Sequence, residues 1–215
     1  MKATRNILML ARLFALSACM SMKSTQPPAT IYVMHSVKAA ARENSRPAAL
    51  PVVVVAEPVV PSGFNTDRIA LYLAGGRRLD YYAGAAWPEP LGKLLQGFII
   101  QSVQGAIADT PEGGFAAAYR LQVRVNDLEP VYAAGPEVAP QLKVSMTFRL
   151  VSLKQDRVLL DITRQRTASA AANTLTGVTA GLEALLQSVM SDALKEISPH
   201  LRGAPAKPQQ GITSQ

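Results

Sequence analysis

The chain has 215 residues, of which 48% are hydrophobic and 17% are charged, a balance typical of a globular protein rather than a disordered one. A chain of this length can bury a core without help from disulfides or metal ions. The formal net charge is +7, but the basic residues are scattered instead of clustered on one segment, which argues against a protein that binds nucleic acid.

The amino-terminal segment has the order of a secretory signal and precedes the only cysteine of the chain. A basic start is followed by an apolar stretch over Ile7–Ala18. The run Leu16–Cys19 resembles a bacterial lipobox, in which small residues fit the signal peptidase and the cysteine thiol receives a diacylglyceryl group. We therefore predict a signal peptide over residues 1–18 and a lipid anchor at Cys19.

Two neighbouring residues bear on how this anchor works. Arg12 divides the apolar stretch into two short halves, which leaves open an alternative in which the leader stays uncleaved and the cysteine stands there by chance. Met20, not aspartate, follows the cysteine, and the sorting rule for such lipoproteins then favours the periplasmic face of the outer membrane. No other apolar run approaches the roughly 20 residues that span a bilayer, so attachment would come from the lipid alone.

The rest of the chain divides into a tether, one domain and a tail. Residues 19–30 are polar and contain two adjacent prolines, which predicts an extended tether. The domain is predicted over residues 31–201, and residues 202–215 are predicted to form a disordered tail. We find no internal sequence repeat.

Short β-branched runs predict strands in the first part of the domain. These are Ile31–Met34 and Pro51–Glu57, the second of which contains four consecutive valines. Arg68–Ala74 and Arg77–Tyr82 are predicted to form a hairpin. Its loop is the pair Gly75-Gly76, because glycine accepts positive φ.

Two later segments have apolar residues at helical spacing. The first stripe consists of Leu91, Leu94, Leu95, Phe98, Ile99, Val103 and Ile107. The second consists of Leu175, Val178, Leu182, Leu185, Leu186, Val189, Ala193 and Ile197, with Asn173 or Thr174 as its cap. Pro199 is predicted to end this second helix.

Between the two helices, three segments alternate apolar and polar residues and are predicted as strands: Tyr119–Asn126, Leu142–Leu150 and Val158–Thr167. Their polar faces carry Arg120, Arg124, Lys143, Arg149, Arg164 and Arg166. The order of elements predicts an α+β fold, with two amphipathic helices packed on one face of a largely antiparallel sheet. The basic residues form either a solvated face or a docking face, and we assign Arg120 and Arg124 to partner binding.

The residue patterns of common catalytic and metal sites are missing. His35 and His200 lie near opposite ends of the domain, without Cys, Asp or Glu at ligand spacing. Gly92-Lys93 lacks the upstream glycine and the following Ser or Thr of a phosphate-binding loop. No serine lies in a Gly-x-Ser-x-Gly elbow. We therefore expect neither an enzyme nor a protein with a metal or cofactor.

A specific family resemblance lies in the middle of the chain. The run Gly63–Ile69, then Tyr72, Leu79–Tyr82 and finally Trp87–Leu91 resembles the ABC-type transport auxiliary lipoproteins, including the paraquat-inducible protein C type. The valine strand, the later strands, the closing helix and the lipobox agree in order with this family. The resemblance therefore covers about residues 30–200.

That resemblance implies a fold and a role. The fold would be similar to the amino-terminal domain of TolB. The family accompanies MCE-domain proteins and an inner-membrane ABC permease and ATPase that move phospholipids or other apolar molecules between two membranes. The lipoprotein itself hydrolyses nothing and docks the MCE assembly. An alternative is a structural or assembly lipoprotein of another outer-membrane complex, and the chain could also form a homo-oligomer.

Docking requires an exposed, partly aromatic patch on a stable scaffold. Tyr81, Tyr82 and Trp87 lie together in sequence between the hairpin and the first helix, and we assign them to partner binding. For Trp87 the alternative is packing over the start of the helix as part of the core.

Overall fold

The computed structural model describes residues 28–36, 51–104 and 117–202, and within them seven strands and two helices follow one another. The strands are β1 (Thr30–Ile31), β2 (Val53–Val55), β3 (Arg68–Leu73), β4 (Arg78–Ala86), β5 (Tyr119–Val131), β6 (Gln141–Ser152) and β7 (Arg157–Ser169). The helices are α1 (Leu91–Val103) and α2 (Leu175–Arg202). This order confirms the predicted α+β class.

All seven strands belong to one sheet, in which β5 is central. One edge of β5 pairs antiparallel with β6. The other edge pairs in parallel with β2 at Tyr119–Leu121 and with β3 at Val131. The order across the sheet is β1-β4-β3-β5-β6-β7, and the β3–β4 and β6–β7 pairs are antiparallel. The prediction of a largely antiparallel sheet is confirmed.

The β3–β4 hairpin has a longer turn than the two residues predicted. Leu73 is the last residue of β3 and lies opposite Arg78, so four residues make the turn. Three of them have positive φ: 53° at Ala74, 65° at Gly75 and 88° at Gly76. The glycine pair was a correct hairpin signal, but Ala74 also adopts the left-handed region and lengthens the turn.

A bulge extends β5 beyond the predicted end of its alternating pattern. The register with β6 shifts between Val125 and Asp127, so Asn126 and Asp127 break the strict alternation. After the shift, Leu128 is again buried and lies opposite Val144. The strand continues to Val131, five residues beyond the predicted Asn126.

Both helices pack on the apolar face of this sheet, as predicted. That face is formed by Leu121, Val123 and Val125 of β5 and by Leu142, Val144, Met146, Phe148 and Leu150 of β6. The first six stripe residues of α1 are all buried, and they share one core cluster with those of α2. The seventh predicted residue, Ile107, lies outside the described residues.

The ends of α2 confirm one prediction and correct another. Thr174 caps the helix, since its Oγ1 accepts a hydrogen bond from the Gly177 N–H (3.2 Å). Pro199 does not end the helix, which continues to Arg202. Proline removes only one helical hydrogen bond, and Leu201, 2% exposed, keeps the last turn packed against the core.

The first strand is shorter and earlier than the predicted Ile31–Met34. β1 pairs in parallel with β4, and the Tyr32 N–H donates to the Ala86 carbonyl (2.9 Å). The chain then leaves the sheet and runs to α2, where the His35 N–H donates to the Glu183 carboxylate (3.1 Å). The described elements thus run from Thr30 to Arg202.

Candidate docking surface

The face of the sheet opposite the helices carries a group of polar side chains that are exposed or half-buried, and we call this group the open face. Its members are Arg120, Gln122, Arg124 and Asn126 of β5, Lys143, Thr147 and Arg149 of β6, and Asp161 and Thr163 of β7. The strand registers bring them together, because Gln122 lies opposite Arg149 and Arg149 lies opposite Asp161. The predicted docking residues Arg120 and Arg124 are both on this face.

A groove of about 490 Å³ opens on the open face. It is lined by Ala56, Glu57, Val59, Gln122, Val123, Arg124, Asn126, Thr147 and Arg149. The chain that follows β2 forms one wall, because Val59 pairs with β5 through hydrogen bonds to Val123 and Val125 (2.9 Å each). The side chain of Val59 is 62% exposed and forms an apolar rim of the groove.

Part of the charge on the open face is neutralised within the domain. Arg149 donates through Nε and Nη2 to the Asp161 carboxylate (2.9 and 2.6 Å). Lys143 lies 3.0 Å from a carboxylate oxygen of Asp127. Such exposed ion pairs contribute little to stability, on the order of 0–1 kcal/mol each, but they leave these charges unavailable to a partner.

Arg120 and Arg124 differ from Arg149 and Lys143 in how their charges are paired. Both are exposed, and neither forms an ion pair with any carboxylate in the described parts of the chain. They lie four residues apart on one straight strand, which separates their Cα atoms by about 13 Å. Gln122, another hydrogen-bond donor, lies between them. Within the described residues, the open face therefore presents two guanidinium groups without an acidic partner beside the groove.

Arg164 and Arg166 do not belong to this surface, although the sequence analysis grouped them with it. On β7 they alternate in step with Leu160 and Ile162, which pack towards the core. The Arg164 guanidinium pairs with Glu196 of α2, and that of Arg166 pairs with Asp192 of α2. These two arginines instead hold α2 on the helix-bearing face.

The predicted aromatic patch separates into a buried and two half-buried side chains. Trp87 is 3% exposed and belongs to the core, which matches the alternative reading for this residue. Its burial follows from the Trp87 N–H bond to the Asp67 carbonyl (2.6 Å), which holds the segment before α1 against β3. Tyr81 donates its hydroxyl to the Gly63 carbonyl (2.7 Å) and lies beneath the Arg68 guanidinium, 3.8 Å from the ring centroid.

Tyr82 takes part in a series of hydrogen bonds that links β4, the segment after β5 and the loop before α2. Its hydroxyl lies 2.8 Å from that of Tyr132, and Tyr132 donates to Asn173 Oδ1 (3.1 Å). Asn173 Nδ2 in turn donates to the Pro136 carbonyl (2.8 Å). Burial and the Tyr132 hydroxyl raise the pKa of Tyr82 above its usual value. These hydrogen bonds fix the loop before α2 against β4. Asn173 therefore serves this connection and does not cap α2.

A buried carboxyl lies at the far end of β5. Glu129 is 4% exposed and lies opposite Lys143 on β6. Burial raises the pKa of Glu129 to about 7, and the nearby Asp127 adds to the rise, while the Leu128 N–H and Lys143 oppose it. The alternating pattern did not predict this burial, because the predicted strand ended at Asn126.

We expect Glu129 to make the domain less stable as pH rises. The folded state holds this proton up to pH about 7 and the unfolded chain releases it near 4.5, so the free energy of unfolding falls across that window. Glu129→Gln should abolish this fall and stabilise the protein at pH 8 by up to about 3 kcal/mol. Urea unfolding at pH 5, 6, 7 and 8 measures it.

The matched control is Glu137→Gln, which replaces an exposed carboxylate in the β5–β6 loop. This variant should keep the pH dependence of the wild type. If Glu129→Gln unfolds with the same pH profile as both, the buried carboxyl does not titrate in this window.

The described residues contain no group of three His, Cys, Asp or Glu side chains arranged to hold a metal ion. Of the two histidines, His35 lies with Nδ1 3.3 Å from Glu183, and both groups are on the helix-bearing side. No helix in the described ranges is long and apolar enough to cross a membrane. Cys19, the predicted signal peptide and most of the tether and tail lie outside the described residues.

Sequence patterns identified the open face only in part. Alternation along β5 is a local signal and correctly predicted that Arg120, Gln122 and Arg124 share one face. Glu57 and Val59 were missed as parts of the groove. They reach β5 through a parallel pairing between segments more than 60 residues apart, and no local pattern predicts such a contact.

Comparison with solved structures supports the fold. Protein XCC0632 from Xanthomonas campestris superposes with a TM-score of 0.66 at 20% sequence identity, over 81% of this chain and 95% of that one. An uncharacterized protein superposes with a TM-score of 0.62 at 12% identity, over 80% of this chain and all of that one. At these identities the likeness concerns the fold alone. No curated protein matches the sequence.

The family comparison covers most of the described domain. The model for the ABC-type transport auxiliary lipoprotein component matches residues 32–193, about three quarters of the chain. The match extends from the segment after β1 into α2 and includes all of the open face. It agrees with the resemblance found at Gly63–Leu91. The chain therefore belongs to the family of ABC-type transport auxiliary lipoprotein components.

Proposed function

We propose that this protein is the lipid-anchored docking subunit of an MCE-linked ABC system that moves phospholipids or other apolar molecules between the two membranes of a bacterial envelope. It performs no catalysis of its own. Family membership supports the link to an ABC-type transport system. The observation that carries the docking role is the pair of exposed guanidinium groups of Arg120 and Arg124, which have no acidic partner among the described residues and lie beside an open groove.

The arrangement of the core favours an adaptor over a cargo carrier. Between the helices and the sheet, side chains of the described residues form one continuous core cluster, in which Leu142, Phe148 and Leu186 are fully buried. Gly181 of α2 lies so close to Leu142 that no side chain fits between helix and strand. The groove lies on the other side of the sheet, and its lining includes the charged and polar side chains of Arg124, Asn126 and Arg149, which a protein surface can pair with hydrogen bonds and an acyl chain cannot.

The charge of the open face indicates the chemistry of the partner. Two exposed arginines that no carboxylate of the described residues pairs with attract an acidic surface and steer its approach. The half-buried Tyr81, stacked under Arg68, lies elsewhere in the sheet and adds a second, smaller polar-aromatic site. We propose that the MCE-domain partner presents acidic residues to the open face, with Val59 supplying an apolar contact at its rim.

The position of the protein follows from its predicted anchor. Lipidation at Cys19 would attach the domain to the membrane, and Met20 in the next position favours the periplasmic face of the outer membrane. From there the domain meets the MCE assembly, whereas the permease and ATPase lie in the inner membrane and are reached only through it.

Affinity purification from the native host tests this function. The tagged full-length protein, extracted from membranes, should recover an MCE-domain protein. Mass spectrometry should find the amino terminus at an acylated Cys19. Recovery of a different outer-membrane assembly, with no MCE protein, would favour the structural lipoprotein instead. An unmodified Cys19 with its leader still attached would remove the anchor from the account.

A further inference from the structure

The segment that follows the tether exposes two apolar side chains on one side. Ile31 and Val33 are each 54% exposed, and they are separated by a single residue of extended chain. The residues that alternate with them, Tyr32 and Met34, pack against the core. An extended segment with one buried side needs no apolar residue on its other side, so the exposure of Ile31 and Val33 is left unexplained by the fold.

These side chains are held in place by the domain. β1 pairs with Ala85 and Ala86 of β4, at one end of the sheet. Four residues further on, the His35 carbonyl accepts a hydrogen bond from Gln187 Nε2 (2.9 Å), and the His35 N–H donates to Glu183. Ile31 and Val33 therefore lie between two fixed points and are displayed at a defined place on the surface.

The predicted anchor determines which surface is always near them. Ile31 lies only twelve positions after Cys19 in the sequence. Even fully extended, this length of chain spans about 40 Å, so the lipid-bearing membrane lies within that distance of β1. Val158 is 50% exposed, similar to Val33, but it lies on β7 at the opposite end of the sheet.

We propose that Ile31 and Val33 contact the surface of the membrane that holds the anchor. This inference rests on the proposed lipidation of Cys19. The contact turns the β1 edge of the sheet towards the lipid headgroups and the β7 edge away from them. Apolar side chains beside a lipid anchor partition into the boundary between headgroups and acyl chains. The open face then stands at the side of the domain, where a periplasmic partner can reach it.

Site-specific fluorescence on the full-length acylated protein tests the proposal. Val33→Cys and Val158→Cys are each labelled with nitrobenzoxadiazole and reconstituted into vesicles of phosphatidylethanolamine and phosphatidylglycerol, with or without brominated acyl chains. The two positions carry the same side chain at nearly equal exposure. We expect brominated lipid to quench the probe at position 33 several-fold more strongly than the probe at position 158.

Flotation of the vesicles tests the lipid anchor separately from the proposed contact of Ile31 and Val33 with the membrane. Protein that floats with the vesicles but shows equal quenching at both positions overturns the membrane contact and leaves the anchor intact. Protein that does not float overturns the anchor and the contact together. If the probe at position 33 is shielded from iodide without lipid, and more so at higher protein concentration, the two side chains mediate contact between copies and the proposal is wrong.

Discussion

Reversing the charge of the open face should weaken partner binding by about 10- to 100-fold. The change is Arg120→Glu together with Arg124→Glu. Both side chains are exposed and without an internal acid in the described structure, so the substitutions remove two attractive charges and add two repulsive ones without disturbing the core. Biolayer interferometry with the purified periplasmic domain of the MCE partner measures the loss.

The matched control is Arg77→Glu, at the last residue of the β3–β4 turn, together with Arg78→Glu, at the first residue of β4. It changes the net charge by the same amount at two exposed positions away from the open face. This control should keep wild-type affinity. Because salt screens attraction and repulsion alike, added salt should weaken partner binding by the wild type and the control but partly restore binding by the Arg120/Arg124 variant, whose new glutamates repel an acidic partner. Equal affinities for the two double variants would exclude the open face as the docking surface.

A leucine at position 181 should destabilise the domain by about 3 kcal/mol or more. Gly181 lies on α2 where the helix meets β6, and even a Cβ there would overlap the side chain of Leu142. Leu142 is 0% exposed and surrounded by core, so it has no free direction in which to move. Overpacking must then push α2 away from the sheet. Urea unfolding should show a lower midpoint with an unchanged slope.

Gly97→Leu is the control for this substitution. Gly97 lies within α1, and a Cβ there meets nothing within 4 Å. Replacing a helical glycine by leucine at an unobstructed site should stabilise the protein by about 0.5–1 kcal/mol. Opposite signs for the same substitution in two helices would identify the close contact of α2 with β6 as the cause. A similar midpoint for both variants would contradict it.

The parts of the fold that were predicted correctly depend on local patterns. The apolar stripes of α1 and α2 and the alternation within β5, β6 and β7 repeat over few residues, and they repeat because one side of each element faces the core. The bulge at Asn126 and Asp127 interrupts such a pattern, which is why the predicted strand ended there. The prediction that Pro199 ends α2 was wrong for a similar reason, because the burial of Leu201 outweighs a local helix-breaking signal.

The candidate site required more than local patterns. Arg164 and Arg166 could have been assigned to the helix-bearing face, because they follow Ile162 at intervals of two residues. Their acidic partners lie four residues apart on α2, and this spacing could also have been recognised in the sequence. In contrast, the groove wall at Glu57 and Val59 forms only when β2 pairs with β5, a contact set by the tertiary fold. The burial of Glu129 and Trp87 is likewise a property of the folded domain.

The open face also explains why a docking role fits this architecture. Helices cover one side of the sheet, and on the other side the described residues leave alternate side chains of β5 from Arg120 to Asn126 exposed, so a rigid surface is available there without any rearrangement. On that surface, internal ion pairs neutralise Arg149 and Lys143, which concentrates the uncompensated charge at Arg120 and Arg124. A single partner with acidic residues at matching spacing would satisfy both.

Photo-crosslinking in living cells tests the docking claim most directly. A benzophenone amino acid is placed at Gln122, between the two arginines on the open face, and in a second strain at Gln101, an exposed position on α1. Our account predicts that the probe at position 122 captures an MCE-domain protein and that the probe at position 101 does not. Capture of the MCE protein from position 101 only, or capture of an unrelated outer-membrane assembly from position 122, would contradict it.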